Sequence, residues 1–244
     1  MKQTVFEIKE NVALTKTVFR LRLEGDTEGI TSGQFVNIKL DSFFLRRPIS
    51  VCDCEGNTLT LLYKVVGRGT EAMSKMLPGE SLDILTGLGN GYTPSASGKY
   101  PLLIGGGVGV PPLYMLAKEL IAAGSEVSVI LGFNTKDEIF YKDEFEALGA
   151  KVYVATADGS FGTHGFVTDV MKDLDYTYFY TCGPEPMLKA IYKIAKTSGQ
   201  FSFEERMGCG FGACMGCSCK TVSGYKRICK EGPVLTKEEI IWDA

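Results

Sequence analysis

The feature that most constrains this 244-residue chain is a run of cysteines near its C-terminus. The chain has 8 cysteines, and five of them lie in this segment: Cys209, Cys214, Cys217, Cys219 and Cys229. In a secreted protein such a cluster would indicate disulfides, but the first seven residues become acidic before an apolar signal core could form. Clustered cysteines without a signal peptide more often bind a metal or a redox centre. The segment therefore predicts a metal site.

The spacing of the first three of these cysteines is C-x4-C-x2-C, which plant-type [2Fe–2S] loops use. The glycines between them allow the backbone to curl close to a cluster and to direct amide N–H groups at sulfur. A zinc site with four cysteine ligands is the alternative, although zinc sites usually show two separated C-x2-C pairs. We predict that Cys209, Cys214 and Cys217 bind the cluster.

The fourth ligand is either Cys219 or Cys229. Cys219 follows Cys217 so closely that it could hardly reach a second iron, whereas Cys229 can return across the cluster from a β-hairpin that turns at Ser223-Gly224. We therefore predict Cys229 as the ligand and Cys219 as a packing residue.

Two further regions differ in their patterns. Residues 1–95 contain short, alternating or β-rich runs at 16–23, 34–40, 58–66 and 81–85, with one helix at 70–75, which predicts a barrel or a sandwich. Residues 87–98 are typical of a linker. From residue 100 strands alternate with helices, which predicts a parallel sheet covered by helices on both faces. The strands are expected at 101–104, 126–131, 151–155 and 176–181, and the helices at 110–123, 143–148, 167–173 and 186–197.

A glycine-rich loop follows the first strand of this second region and contains Gly105, Gly106, Gly107 and Gly109. Such a loop lets backbone N–H groups approach a pyrophosphate at a helix N-terminus, but it is not G-x-G-x-x-G and could be a plain turn. Cys182 and Gly183 end a later strand, and ligands bind at the carboxyl ends of parallel strands. We predict a dinucleotide site at that edge, where Cys182 either lies near the nicotinamide ring or only packs.

A third motif combines two segments of the N-terminal region. Arg47 can bind a phosphate and Ser50 can hydrogen-bond a ring or a ribose. Gly69 and Thr70 open the short helix, where a phosphate could also bind. On its own, an Arg-Pro pair after a strand is also typical of a surface turn.

The order of these motifs, Arg-Pro-x-Ser, Gly-x-Gly-Thr, the glycine loop and Cys-Gly-Pro, resembles the ferredoxin–NADP reductase superfamily. With the cysteine loop behind residues 204–207, essentially the whole chain resembles the electron-transfer subunits of type B dihydroorotate dehydrogenases. The resemblance implies a β-barrel FAD domain (residues 1–95), an α/β parallel-sheet NAD-binding domain (99–199) and a small C-terminal [2Fe–2S] subdomain (200–244).

The resemblance also implies which residues bind the cofactors. FAD would be lined by Arg47, Pro48, Ile49, Ser50, Leu62, Tyr63 and Lys64, with its pyrophosphate at Gly69 and Thr70. Electrons would pass from dihydroorotate, through FMN in a catalytic partner subunit, to the cluster, then FAD, then NAD+. The partners would form a heterotetramer with two copies of each subunit. We expect no catalytic acid–base residue in this chain, and the single histidine, His164, is expected to be structural or at the surface.

Composition excludes several other classes. The formal net charge is -3 and no basic stripe is present, so we expect neither nucleic acid nor a membrane surface as a partner. No apolar stretch reaches the roughly 18 residues that a membrane span needs. We therefore expect a cytoplasmic protein. NAD is favoured over NADP by the resemblance and by the absence of arginine from residues 132–137, although Lys136 weakens that argument.

Two other functions remain open from the sequence. The chain could be the flavin and iron–sulfur subunit of another NAD(P)H-oxidising enzyme, of the sulfide dehydrogenase or transhydrogenase type. It could also be a zinc-stabilised nucleotide-binding module without catalysis.

Overall fold

The computed structural model describes residues 1–242, which form two lobes and a cysteine-rich extension. The first lobe is a closed six-stranded antiparallel barrel with strand order β1-β2-β5-β4-β3-β6. A short helix, α1, connects β5 to β6. The elements are β1 (Lys2–Ala13), β2 (Val18–Glu24), β3 (Phe35–Ile38), β4 (Arg47–Glu55), β5 (Thr58–Lys64), α1 (Arg68–Ser74) and β6 (Ser81–Leu88).

The barrel follows from period-2 alternation along its strands. In β2, Leu21 and Leu23 are buried in the barrel core while Arg22 between them is exposed. The four predicted strands and the predicted helix are present. The sequence analysis missed β1, in which few residues point inward, and β4, in which Pro48 breaks the usual strand signal.

The second lobe is a seven-stranded sheet with strand order β10-β9-β8-β7-β11-β12-β15, flanked by helices. Its strands are β7 (Pro101–Gly106), β8 (Ser128–Phe133), β9 (Lys151–Thr156), β10 (Thr163–His164), β11 (Tyr178–Cys182), β12 (Gly199–Ser202) and, after the hairpin β13 (Ser218–Thr221) and β14 (Gly224–Arg227), β15 (Val234–Thr236). Its helices are α2 (Tyr114–Ala122), α3 (Lys142–Ala147), α4 (Val167–Met171) and α5 (Glu185–Ile194).

This sheet confirms the predicted alternation of strands and helices, and the strands of the predicted α/β domain pair in parallel. β15 adds an antiparallel edge strand, paired with β12, that the sequence analysis did not predict. The strand comes from the C-terminal segment, whose lack of periodicity hid it. β12 crosses the predicted boundary between the NAD-binding domain and the C-terminal subdomain at residues 199 and 200. That domain boundary stays a prediction.

The C-terminal segment forms the predicted hairpin. Thr221 pairs with Gly224, so Val222 and Ser223 make the turn, one residue before the predicted Ser223-Gly224. Cys217 and Cys229, which flank the hairpin, are buried in the same apolar cluster as residues of both lobes. The extension is therefore packed onto the rest of the molecule.

Direct contacts hold the lobes together. Lys118 of α2 forms an ion pair with Asp53 of β4 (2.9 Å), and the Ser32 hydroxyl donates to Glu119 (2.7 Å). Cys52 of the barrel is buried among apolar residues of α2 and its neighbours. These contacts fix the cleft between the lobes. None of the helices within residues 1–242 has the length and apolar character to cross a membrane.

Candidate functional site

A cavity of about 860 Å³ lies between the barrel and the sheet. The carboxyl ends of five parallel strands form one wall, through Gly106, Gly132, Ala155, Cys182 and Ser202. Ligands of open α/β sheets bind at this edge. The structure thus brings the glycine loop and Cys182 together, as the sequence predicted.

The barrel provides the opposite wall, from the start of β4 and the end of β5. Most of the predicted cofactor-binding residues lie in the walls of this cavity: Arg47, Pro48, Ile49, Ser50, Leu62, Tyr63, Lys64, Thr70, Gly106, Gly107, Gly109, Cys182 and Gly183. Their assignment to FAD or to NAD stays a prediction.

Gly69 and Gly105 are not among the residues that line this cavity. A Cβ on Gly69 would sit 2.1 Å from Nε of Arg47, and one on Gly105 would sit 2.8 Å from Cα of Val110. Both glycines therefore allow close packing around the cavity, and their roles in cofactor binding stay predictions.

Two predicted side chains are already engaged. The Tyr63 hydroxyl donates to Asn11 inside the barrel (3.0 Å), and burial raises its pKa to about 12. The Thr70 hydroxyl accepts from the backbone N–H of Val66 (3.0 Å) and donates to the Gly67 carbonyl (3.1 Å). Thr70 therefore shapes the turn before α1 with its side chain.

Arg47 lies at the barrel side of the cavity. Its guanidinium stacks over the Phe43 ring, 4.9 Å from the ring centre, and donates to the Leu45 carbonyl. A guanidinium held this way presents its remaining N–H donors in a fixed orientation, which suits a phosphate.

The glycine loop lies directly on the end of β11. A Cβ on Gly109 would sit 2.2 Å from the Cys182 carbonyl oxygen, so only glycine fits there. Gly107 has a φ of +51° and open space around it. The loop therefore presents backbone to the cavity, as a pyrophosphate site requires.

Cys182 is partly exposed and lies in the cavity wall. Burial raises the pKa of this thiol to about 12, with a smaller opposing effect of the Ser202 hydroxyl. A thiol with this pKa is neutral at physiological pH, which disfavours a nucleophilic role. His164 is exposed in the short β10, which agrees with its predicted surface role.

The four predicted cluster ligands form two pairs of thiols. Sγ of Cys209 accepts from the backbone N–H of Cys214 (3.5 Å), and the two thiols also contact each other. Sγ of Cys217 accepts from the backbone N–H of Cys229 (3.4 Å), and these thiols again touch. The second pair is buried, whereas Cys214 is exposed.

The environments of the two pairs differ electrostatically. Burial acts to raise the pKa of Cys209, but backbone N–H groups of residues 211, 213 and 214 outweigh it and lower the pKa to about 6. Burial raises the pKa of Cys229 to about 12, and its contact with Cys217 adds to this. Amide groups directed at sulfur are the donors that stabilise a bound thiolate.

The thiols lie in two pairs, which bears on the kind of metal site that they could form. A zinc site needs four ligands around one ion, whereas a [2Fe–2S] cluster needs two thiolates for each iron. Two thiol pairs are the arrangement that a [2Fe–2S] cluster needs, and the assignment of Cys229 as the fourth ligand stays a prediction.

Cys219 lies in β13 opposite Lys226 and is half-buried against the apolar cluster. Burial raises its pKa. It takes part in neither thiol pair, which supports its predicted packing role.

Sequence reasoning missed several residues of the site. Residues 203–205 and Met207 line the cavity between β12 and the cysteine loop, and Glu138 lines it after β8. Asn37 of β3 donates from Nδ2 to the Cys209 carbonyl (3.2 Å). An asparagine between apolar residues of a predicted strand is the one signal that the sequence offered for Asn37.

Comparisons with known proteins agree with this geometry. Residues 204–241 match the family described as the iron-sulfur cluster binding domain of dihydroorotate dehydrogenase B. Residues 103–193 match the oxidoreductase NAD-binding domain family. The chain is 43% identical over 250 residues to the electron transfer subunit of dihydroorotate dehydrogenase B (NAD(+)) from Fusobacterium nucleatum subsp. nucleatum, and the match covers 96% of each chain.

Two of the similar solved structures bear on the fold. A chain of the NADH-dependent reduced ferredoxin-NADP oxidoreductase, described for flavin-based electron bifurcation, matches with a TM-score of 0.88 and 30% identity, covering 97% of this chain and 90% of that one. A ferredoxin NADP+ reductase from Neisseria gonorrhoeae with bound FAD and NADP has a TM-score of 0.70 at 16% identity, covers 83% of this chain and 100% of that one, and shows the fold alone. The cysteine pairs, the cavity and the 43% identity over nearly the full length agree. The chain belongs to the family of dihydroorotate dehydrogenase B (NAD(+)) electron transfer subunits.

Proposed function

We propose that this chain transfers electrons from dihydroorotate oxidation to NAD+ in pyrimidine biosynthesis, with FAD in the cavity and a [2Fe–2S] cluster on the cysteine pairs. The observation that carries the proposal is the adjacency of the two sites. Residues 203–205 and Met207 line the cavity, and the first cluster ligand follows at Cys209. When bound, a flavin exchanges hydride with nicotinamide and single electrons with an iron–sulfur centre.

The residues of the chain position and enclose these groups. Arg47 presents cationic donors toward a phosphate at the barrel wall, and the loop through Gly107 and Gly109 presents backbone N–H groups from the sheet wall. Cys209 and Cys214 would hold one iron, and Cys217 and Cys229 the other. The thiol of Cys182 stays neutral, so the proposal assigns it no covalent step.

A catalytic partner subunit follows from membership of the family, since its members are named electron transfer subunits. We propose that the partner carries FMN, oxidises dihydroorotate to orotate and forms a heterotetramer with two copies of this chain. Exposed apolar side chains on the cysteine loop, Phe211 and Met215, support an interface there. The three-domain division and a cytoplasmic location stay predictions from the sequence.

The test uses full-length protein purified without oxygen, alone and with an FMN-containing dihydroorotate-oxidising subunit. We expect FAD and a two-iron cluster in each chain, and reduction of both by NADH without the partner. Dihydroorotate should reduce them only when the partner is present. A colourless protein with zinc and no flavin would contradict the proposal.

A second candidate function is supported by the 0.88 TM-score match, at 30% identity, to the NADH-dependent reduced ferredoxin-NADP oxidoreductase. In that case the chain would serve a different NAD(P)H-linked partner with the same cofactors. Reduction by ferredoxin or NADPH with such a partner, and none by dihydroorotate with the FMN subunit, would favour it.

A further inference from the structure

Asn37 is an unusual residue for its position. It lies in β3, where all four residues are buried and the other three are Phe35, Val36 and Ile38. Its exposed fraction is 2%, and asparagine is disfavoured in strands. Such a local inconsistency in an otherwise apolar strand marks a residue kept for something other than barrel stability.

Within residues 1–242, only one of the two polar atoms of the Asn37 side-chain amide has a hydrogen-bond partner. Its Nδ2 donates to the Cys209 carbonyl (3.2 Å), while its Oδ1 is buried and has no hydrogen-bond partner within residues 1–242. Rotating the amide by 180° would place two oxygens against each other, so the contact fixes its orientation. An unpaired buried acceptor destabilises a fold, so barrel stability alone would favour an apolar residue here.

On the barrel side, Asn37 is attached to the strand that lines the cavity. It pairs with Pro48 across β3 and β4, and Pro48 lies in the cavity wall. Proline has no N–H to donate, and the Asn37 carbonyl instead accepts from Nη1 of Arg46 (3.3 Å). Arg46 is in turn fixed by an ion pair with Asp83 (2.9 Å). The backbone of Asn37 therefore has a fixed position relative to the cavity.

On the loop side, the contact requires glycine at position 210. Gly210 has a φ of +78°, and a Cβ there would sit 2.3 Å from Nδ2 of Asn37. The adjacent Cys209 accepts at its sulfur from the backbone N–H of Ala213 (3.2 Å) and of Cys214 (3.5 Å). The Asn37 side chain thus holds the backbone at the first ligand of the loop.

We propose that Asn37 is a positioning residue that sets the placement of the cluster loop relative to the flavin-lining strand. The inference rests on the proposed function. One hydrogen bond, from Nδ2 of Asn37 to the Cys209 carbonyl, orients the first ligand. It thereby also orients the amide groups that are directed at the sulfur of that ligand. Amide donors to sulfur raise the potential of an iron–sulfur cluster, so a loosened loop lowers it.

The test is Asn37→Leu in the full-length holoprotein, which removes the donor and the unpaired acceptor at similar volume. The matched control is Thr86→Val, which removes another buried polar group of the barrel, in β6 and outside the cavity wall. The readouts are the rate of flavin reduction by NADH, the rate of cluster reduction, the EPR spectrum of the reduced cluster and its potential.

For Asn37→Leu we expect wild-type FAD content and flavin reduction, but an altered EPR spectrum and a lower cluster potential. Cluster reduction should slow by about threefold to tenfold, the change in loop population that one ordinary hydrogen bond supports. Thr86→Val should match the wild type in every readout. Unchanged cluster readouts in Asn37→Leu, or equal changes in Thr86→Val, would overturn the role of Asn37.

If Asn37→Leu does not fold, Gly210→Ala tests the same contact from the loop, because its Cβ would push the loop away from Asn37. Wild-type cluster potential and EPR spectrum in that variant would overturn the inference. Failure of NADH to reduce flavin or cluster in the wild-type protein would instead overturn the proposed function itself.

Discussion

The two cofactor regions of this molecule are built by different means. The cluster region depends on side chains, four thiols held in two pairs on irregular backbone. The sheet wall of the cavity depends mainly on backbone, the ends of five strands and a loop in which Gly109 has no room for a Cβ. Substitutions that remove a ligand sulfur should therefore disturb the cluster, whereas substitutions that add a side chain to the glycine loop should disturb nucleotide binding.

The largest expected effect is on the cluster. Cys229→Ser should lose most of the iron and the visible absorbance of the cluster, because one iron would keep only a single thiolate in a buried site. Cys219→Ser is the matched control and should keep its iron. Iron per chain measures both. Iron lost in the control and kept in Cys229→Ser would reverse the assignment of the fourth ligand.

The second prediction concerns the backbone-built site. Gly109→Ala should weaken NADH binding about tenfold or more, because its Cβ, 2.2 Å from the Cys182 carbonyl oxygen, pushes the loop off β11. Gly124→Ala is the control, at a helix end with a φ of +87° and open space. It should cost about 1–2 kcal/mol of folding stability and leave NADH binding unchanged. Titration with NADH and thermal unfolding separate the two effects, and equal NADH affinity in both variants would contradict the comparison.

The third prediction places the partner against the cluster region. Phe211 and Met215 are exposed by 44% and 54% on the cysteine loop. Phe211→Ser and Met215→Ser should each weaken binding of the catalytic partner about tenfold without loss of absorbance, as expected for apolar interface residues. Leu77→Ser, in an exposed barrel turn, should bind as the wild type does. Calorimetric titration with the partner would show this, and unchanged affinity in both loop variants would argue for another interface.

The smallest expected effect concerns Cys182. Its folded pKa of about 12 lies above the ordinary value of 9.0, so burial of the neutral thiol contributes stability that is present below pH 9 and lost as pH rises toward 12. Cys182→Ala should flatten that alkaline loss in thermal unfolding. The pH profile of NADH oxidation between pH 6 and 9 should not change. An ionisation in that range that disappears in the variant would give Cys182 a direct role.

The same difference explains what the sequence could predict. The spacing of the cysteines within residues 209–229 was enough to predict the cluster ligands, and that assignment stays a prediction. The strand alternation of β2 and β5 and the βα alternation of the second lobe were equally readable. The glycine loop of the sheet wall was also visible in the sequence, whereas the engagement of the Tyr63 and Thr70 hydroxyls within the first lobe was not.

Other features depend on contacts between distant segments. β4 contains Pro48, which weakens a local strand signal, yet it completes the barrel between β3 and β5. β15 has three residues and is defined only by its pairing with β12. Asn37 and Cys209 are 172 residues apart in sequence, so their contact could not be deduced from local pattern.

The pairing of β12 with β15 determines how the cysteine-rich segment is anchored to the second lobe. Ser202 pairs with Val234, so the cysteine-rich segment between them leaves and rejoins the sheet at one pair of neighbouring residues. The backbone bonds of that pair involve no thiol. The anchoring of this segment in the sheet therefore does not depend directly on the cluster ligands.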